Sequence, residues 1–425
     1  MSAAPFSRAR LRAVTREIDA IDDLLEYADA SDPIVWSRRG DVLVGIGSAL
    51  RWNGRQMRST TAASDWWQEV TAGSEIDDPI GLTGTGLIAF GAIPFDGESS
   101  AAATFVVPEV VLGRRDGRSW VTHITPLGAI GEAPAAGAIP ESTPYGAHWS
   151  ASLGPGTLTP DDYQSAVRAG LEALSSGTIS KVVLARDLAG SIPAGSDLRR
   201  LVRALASAYP DTWTFAVDGL IGASPETLVT VSGGQVTARV LAGTIARGAD
   251  PDADTSASVA LATSAKDLDE HQYAVQSVLT ALRPHTSALV AQEQPFMLKL
   301  PNVWHLATDV EGTLDGHASA LDLVGALHPT AAVAGTPTPL AVDLIRELEP
   351  FDRGRYAGPV GWIDATGNGE WAIALRCAQF DLTADADSAI PFTAHAGAGI
   401  VAGSDPESEM LETRVKFRPI VDALA

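Results

Sequence analysis

The chain has 425 residues, which is two or three average domains or one large α/β or α+β enzyme. Its 52 acidic residues against 30 basic ones give a net charge of −22, which repels a phosphate backbone and an anionic membrane surface alike and argues against nucleic-acid or membrane partners. Apolar residues at 45% and charged residues at 19% describe a chain able to bury a large core, so the composition excludes a disordered chain.

The start, MSAAPFSRARLRAV, carries basic residues with no apolar core or small-residue cleavage site after them. No run of about 18 uncharged apolar residues follows anywhere, and a soluble, cytoplasmic protein is the expectation. Up to about residue 150 the chain is rich in Ala, Gly, Ser and Thr, with strand-like runs at Asp41 to Ile46, Gly86 to Ala92 and Phe105 to Leu112. Between Ile130 and Pro155 the density of Pro, Gly and Ser predicts a loop and a functional boundary. Thr159 and Pro160 then read as the N-cap and first residue of a helix, with Tyr163, Val167, Leu171 and Leu174 at helical spacing up to Gly177.

The β-branched run SKVVLARDL predicts a strand, with Lys181, Val183 and Ala185 on one face and Val182, Leu184 and Arg186 on the other. Further strands are predicted over Leu220 to Val231, Trp371 to Leu382 and Ala394 to Val401. A helix is predicted from near Ser264 to Pro284, a third from Thr338 and Pro339, and a last one from Asp405 and Pro406, stopped or kinked by Pro419. Short glycine turns such as Gly233-Gly234 argue for antiparallel pairing and an α+β class. Cys377, the lone cysteine, excludes an intramolecular disulfide and a cysteine-rich zinc site.

Four charged or glycine-rich constellations stand out. Lys181 lies in the strand KVVLAR, where a lysine is most often a solvated side chain, and Glu226 in ASPET reads by itself as a turn acid. Glu270 follows in SAKDLDEH, and Glu409, Glu412 and Lys416 share a stripe of the last helix, away from Leu411 and Val415. Acids near a helix start are commonly just partners of its dipole, which accounts for Glu409 better than for Glu412. Lastly, AGAGIV, residues 396 to 401, has two glycines that let backbone N–H groups approach an anion.

In this order, together with LAGT, WHLAT, LHPT, RYAG and ALR, the motifs from Thr159 to Lys416 resemble those of the chorismate-utilising enzymes. That family includes isochorismate synthase, salicylate synthase, anthranilate synthase component I and aminodeoxychorismate synthase. The resemblance implies a single α+β unit over residues 1–425: two mostly antiparallel sheets packed face to face, helices outside, residues 1–150 a variable half and 155–425 the motif-bearing part. It implies Lys181 as the base that activates water and Glu226 as the acid that protonates a departing hydroxyl. Glu270, Glu409 and Glu412 would hold magnesium, directly or through water. Gly397 and Gly399, read as a turn, would cradle the substrate with Lys416. Tyr356 and Arg376 would hold its side-chain carboxylate, and Thr244 and His305 would line its ring.

These roles suit the residue types. Chorismate is a dianion, so an acidic protein binds it only through local positive charge, which magnesium, Lys416 and Arg376 supply. Three clustered glutamates imply a divalent ion, and an oxygen-only set suits magnesium better than zinc. Arg376 can grip a carboxylate through two parallel hydrogen bonds.

Within the family, the ammonia-using members lack a lysine at the position of Lys181, so the resemblance points to the water-adding branch without a glutamine amidotransferase subunit. Salicylate-forming members typically show Gly-x-Pro-Lys where this chain has Gly335-Thr336-Pro337-Thr338. The implied activity is conversion of chorismate to isochorismate, which feeds menaquinone or catechol siderophores. The alternatives are salicylate formation and a non-catalytic paralogue, the latter opposed by the presence of both Lys181 and Glu226. Ala331 stands where the isochorismate-forming branch usually has proline after HPT.

Overall fold

The computed structural model describes residues 10–57, 59–128, 135, 137–248, 250–299, 303–316, 318–385 and 387–425. The side chains of Thr244, Ala246, Lys266, Glu270 and Val303, and the first part of the predicted loop from Ile130, lie outside the described residues. No described helix is long and apolar enough to cross a membrane.

Among the described residues, two sheets of thirteen and ten strands dominate. The first runs from Ser152–Pro155 through Lys181–Ile192, Ile390–Ile400, Cys377–Phe380, Leu220–Ser224 and Trp213–Val217 to Ile34–Arg38 and the remaining N-terminal strands. The second runs from Thr286–Ala291 through Val303–Leu314, Gln235–Ala246, Thr227–Ser232, Gly369–Ile373 and Pro359–Asp364 to Ile88–Ala92, Ala103–Val107 and Leu50–Gly54. Among the described strands only Leu11–Ile18 with Glu75–Asp77 pairs parallel. The class is α+β, as the short glycine turns predict.

Residues before 150 contribute to both sheets. Ile34–Arg38 pairs with Trp213–Val217, and Ile88–Ala92 with Pro359–Asp364. The inner faces meet in one core, with Trp36, Trp120 and Phe215 from the first sheet and Phe90, Phe105, Trp362 and Trp371 from the second, all nearly or fully buried. A second core lies on the outer face of the first sheet, where Leu201, Leu205, Phe417 and Ile420 of two helices cover Ala216, Ile221 and Phe392. Truncating one such aromatic to alanine typically costs about 3–5 kcal/mol, so these layers hold the sheets in fixed register.

The helix after Thr159 forms over Pro160–Ser175, with a reciprocal capping box between Thr159 and Asp162. Two predicted strands are each two strands in different sheets. Leu220–Ser224 belongs to the first sheet and Thr227–Ser232 to the second, with Pro225 and Glu226 as the link. Gly369–Ile373 and Cys377–Phe380 make the reverse crossing, with Arg376 in the link at φ 52°. Proline removes a ladder donor and the left-handed arginine breaks the extended backbone, so each run changes sheets there. The predicted Gly397–Gly399 turn is instead part of the Ile390–Ile400 strand, paired along its length with Lys181–Ile192. The last helix, Pro406–Leu424, runs on through Pro419 rather than stopping there.

Candidate active site

The two sheet crossings lie side by side. Ile373 N–H donates to the Glu226 carbonyl at 3.0 Å, Ala223 N–H to the Arg376 carbonyl at 3.2 Å, and the Ser224 hydroxyl to the Ile373 carbonyl at 2.5 Å. This weave brings Glu226 and Arg376 together although 150 positions separate them. Glu226 keeps partial exposure, yet burial pushes its carboxyl above the ordinary glutamate range, opposed by the charges of Lys181, Arg376 and Lys416. Burial likewise lowers the Arg376 guanidinium, with Tyr356, Glu226 and Glu412 opposing. Tyr356 is buried, its phenol raised by burial, and its ring stacks on His395 with centroids 5.1 Å apart.

Lys181 opens its strand, flanked by Thr336 on one side and by the Ile390–Ile400 strand on the other. Its chain passes over Gly399: a Cβ there would stand 2.9 Å from Lys181 Cε. Gly397 is required for a different reason, because a Cβ would meet the Leu184 carbonyl oxygen at 2.7 Å. Val183 and Ala185, opposite these glycines, send their N–H groups away from them, to Ala334 O and Glu349 Oε1. By the alternation of an antiparallel ladder, Gly397 and Gly399 therefore also turn their N–H groups outward. On that side the neighbouring strand's pairing ends at Ala394. The outward Gly397 carbonyl accepts from Lys416 Nζ at 2.9 Å.

His305 stands opposite Thr244, just past a register shift between Leu241 and Thr244. The irregularity at LAGT, with Gly243 at φ 79°, turns two carbonyls towards histidines. The His305 ring bonds to Gly243, and burial lowers its pKa, with Lys416 and Lys181 adding to the fall and Glu412 opposing. His271 Nδ1 donates to Ala242 O at 3.0 Å, its Nε2 shares a 2.7 Å hydrogen bond with the Thr308 hydroxyl, and burial lowers the ring's pKa. His271 has no role in the sequence reading, yet it anchors the helix turn that carries Glu270. Its place in DEH, beside that acid, is the only local signal.

Glu409, Glu412 and Lys416 project from one side of Pro406–Leu424, as their spacing predicts. Lys416 pairs with Glu412 Oε1 at 2.5 Å. Burial raises the Glu409 carboxyl, and Glu412 adds to the rise, while a Ser404 hydrogen bond and Lys416 oppose it. Among the described residues no three His, Cys, Asp or Glu side chains form a metal-holding group, and the Glu270 side chain lies outside them. Two mutually repelling carboxylates, one desolvated, nonetheless fit a hard divalent cation. Thr244 is placed by its backbone alone.

Lys181, Glu226, His305, Arg376, Glu412 and Lys416 thus form a chain of electrostatic contacts, Glu226 reaching Lys181, Arg376 and Lys416, and His305 reaching Lys181, Lys416 and Glu412, drawn from both sheets and the last helix. A raised carboxyl facing a lysine, ringed by cations in a protein of charge −22, is a place to bind an anion and move protons.

The sequence profile of the family described as "Chorismate binding enzyme" matches residues 3–425, and the chain belongs to this enzyme family. It is 38% identical over 349 residues to the isochorismate synthase DhbC of Bacillus subtilis (strain 168), covering 79% of this chain and 80% of that one. It is 40% identical over 356 residues to a Mycobacterium tuberculosis protein provisionally named isochorismate synthase MenF, covering 80% and 87%. The crystal structure of a Bacillus anthracis protein, provisionally named as the 2,3-dihydroxybenzoate-specific isochorismate synthase DhbC, superposes with a TM-score of 0.72 at 30% identity, covering 94% of this chain and 98% of that one.

Proposed function

We propose that the chain is a magnesium-dependent isochorismate synthase that adds water at C2 of chorismate and expels the C4 hydroxyl. The observation that carries this reading is the juxtaposition of Lys181 with a Glu226 whose carboxyl burial raises. A carboxyl whose pKa is raised holds its proton more readily for delivery to a leaving group, and an amine beside it can take one. Lys181 accepts a proton from water as its oxygen bonds to C2. Both ring double bonds shift, from C1=C2 and C5=C6 to C6=C1 and C4=C5, the C4–O bond breaks, and Glu226 protonates the oxygen, which leaves as water.

Arg376 and Tyr356 bind the enolpyruvyl carboxylate. Lys416 and the outward N–H groups of Gly397 and Gly399 receive the ring carboxylate. Glu270, Glu409 and Glu412 hold magnesium, which when bound supplies positive charge to that carboxylate. His305 and Thr244 border the ring.

The branch assignment has support beside Lys181 itself, because Gly335-Thr336, where the salicylate-forming pattern continues to a lysine, pairs directly with Lys181 and Val182. Incubation with chorismate and magnesium tests the reading. Isochorismate should accumulate and approach the same chorismate ratio from either direction, since exchanging ring hydroxyls has little driving force. Pyruvate released in step with chorismate consumption would instead mark a salicylate synthase.

A further inference from the structure

Beyond Lys181 and Val182 the catalytic strand loses its neighbour on one edge. Gly335–Thr336 pairs only with those two residues, and Ser152–Pro155 begins pairing at Leu188. In the gap, side chains take the place of a strand. Glu349 Oε1 accepts the Ala185 N–H at 2.7 Å, and Arg353 Nη2 donates to the Val183 carbonyl at 2.8 Å. Arg353 also grips Glu349 through Nε at 2.8 Å and Nη2 at 2.6 Å. Its Nη1 donates to Val333 O at 3.0 Å, in the loop whose Ala334 carbonyl accepts the Val183 N–H. Both side chains are almost fully buried, at 3% and 1% exposure for Arg353 and Glu349. The guanidinium lies 4.4 Å from the Phe95 ring centroid and 6.0 Å from that of Tyr356.

A pair of charges taken out of water recovers its desolvation cost only when its hydrogen bonds are complete, and removing one partner is strongly destabilising. The Glu349–Arg353 pair meets this need through bonds to the backbone of the lysine strand and of the Val333–Ala334 loop, with the guanidinium set over the Phe95 and Tyr356 rings. We propose that Glu349 and Arg353 are positioning residues for the reaction: acting as a surrogate strand, they set where the Lys181 amine stands relative to Glu226. The proposal rests on the reading of Lys181 as the base.

Three measurements test it. In the native enzyme the Ala185 amide should exchange with solvent as slowly as amides in paired core strands, and exchange at the rate of an open edge would overturn the proposal. Glu349→Gln keeps an acceptor for Ala185 but removes the charge and the second oxygen that hold Arg353. Its turnover should fall by about tenfold to a hundredfold with KM changed less than about threefold, and the acid limb of its pH profile should move. Arg353→Lys, which keeps the charge but cannot reach both carbonyls, serves the same comparison if Glu349→Gln does not fold. A folded variant of lowered Tm with unchanged turnover and acid limb would show a merely structural pair.

Finally, Glu349→Gln added to Lys181→Ala should cost no further turnover. Losses that multiply would place the pair's effect elsewhere than through Lys181 and overturn the proposal. Near wild-type turnover in Lys181→Ala alone would overturn the base assignment, and the proposal with it, and is distinguishable because it needs no change at Glu349.

Discussion

Lys416 reaches one turn back along its helix to place Nζ 2.5 Å from Glu412 Oε1, and the same ammonium donates to the Gly397 carbonyl at 2.9 Å. With side chains 26% and 47% exposed, such an ion pair is worth only about 0–1 kcal/mol, so an incoming carboxylate can recruit the ammonium. A hydrogen bond to a charged group contributes about 1.5–3 kcal/mol, and Lys416→Met should therefore raise KM for chorismate by roughly 10- to 100-fold. Steady-state kinetics check this, and an unchanged KM would remove Lys416 from the substrate site.

Gly399 makes room for Lys181. In Gly399→Ala the new Cβ meets the lysine chain, which is flexible, rather than backbone, so the fold should persist while the amine is displaced. A displacement near 1 Å can cost about 10²-fold in rate, and turnover should fall by about that order with Tm little changed. Gly397→Ala, which drives a Cβ against the Leu184 carbonyl, should instead lower Tm. Thermal melts alongside turnover distinguish the two.

The pH profile follows from opposite requirements. Glu226 must hold its proton to act as the acid, and burial raises its carboxyl, so it stays competent above the ordinary glutamate range; activity is lost as pH rises through that raised pKa. Lys181 must be deprotonated to act as the base, so its contribution to activity rises with pH. Lys181→Ala should lower the rate by about 10² to 10⁴ and abolish the acid limb in any residual activity. Glu226→Gln should abolish the alkaline limb. A wild-type profile whose alkaline fall survives in Glu226→Gln would assign the acid to another group.

How much of this was legible in the sequence depended on how local each signal is. The helix Pro160–Ser175 carries its own N-cap, proline and apolar stripe, and the helix of Glu409, Glu412 and Lys416 carries its spacing, so both were readable. Pro251–Thr263 was missed as a helix because it buries only Asp254 and Leu261 and so has no apolar periodicity to read. The crossings at Glu226 and Arg376 looked like continuous strands, since both halves are equally apolar and only three-dimensional pairing reveals the change of sheet. Lys181 and Glu226 became candidates only through the ordered motifs that resemble the family, since each alone reads as a solvated lysine and a turn acid, and nothing local indicated that Glu349 and Arg353 would complete the lysine's sheet.

The acid cluster leads to a metal prediction. Glu409→Ala and Glu270→Ala should nearly abolish turnover while leaving the fold intact, because for Glu409 the change removes a desolvated charge that Glu412 repels. Binding of a divalent ion, followed by calorimetry without substrate, should weaken in both variants. Full activity of stripped protein in a chelator would make the cluster structural.

The central claim is that water enters at C2 as the C4 hydroxyl departs, and turnover of chorismate in water labelled with heavy oxygen tests it most directly. The account predicts isochorismate that carries one labelled oxygen at its C2 hydroxyl, with no pyruvate formed. Unlabelled isochorismate would mean that the hydroxyl migrates without exchange, and would contradict the roles given to Lys181 and Glu226.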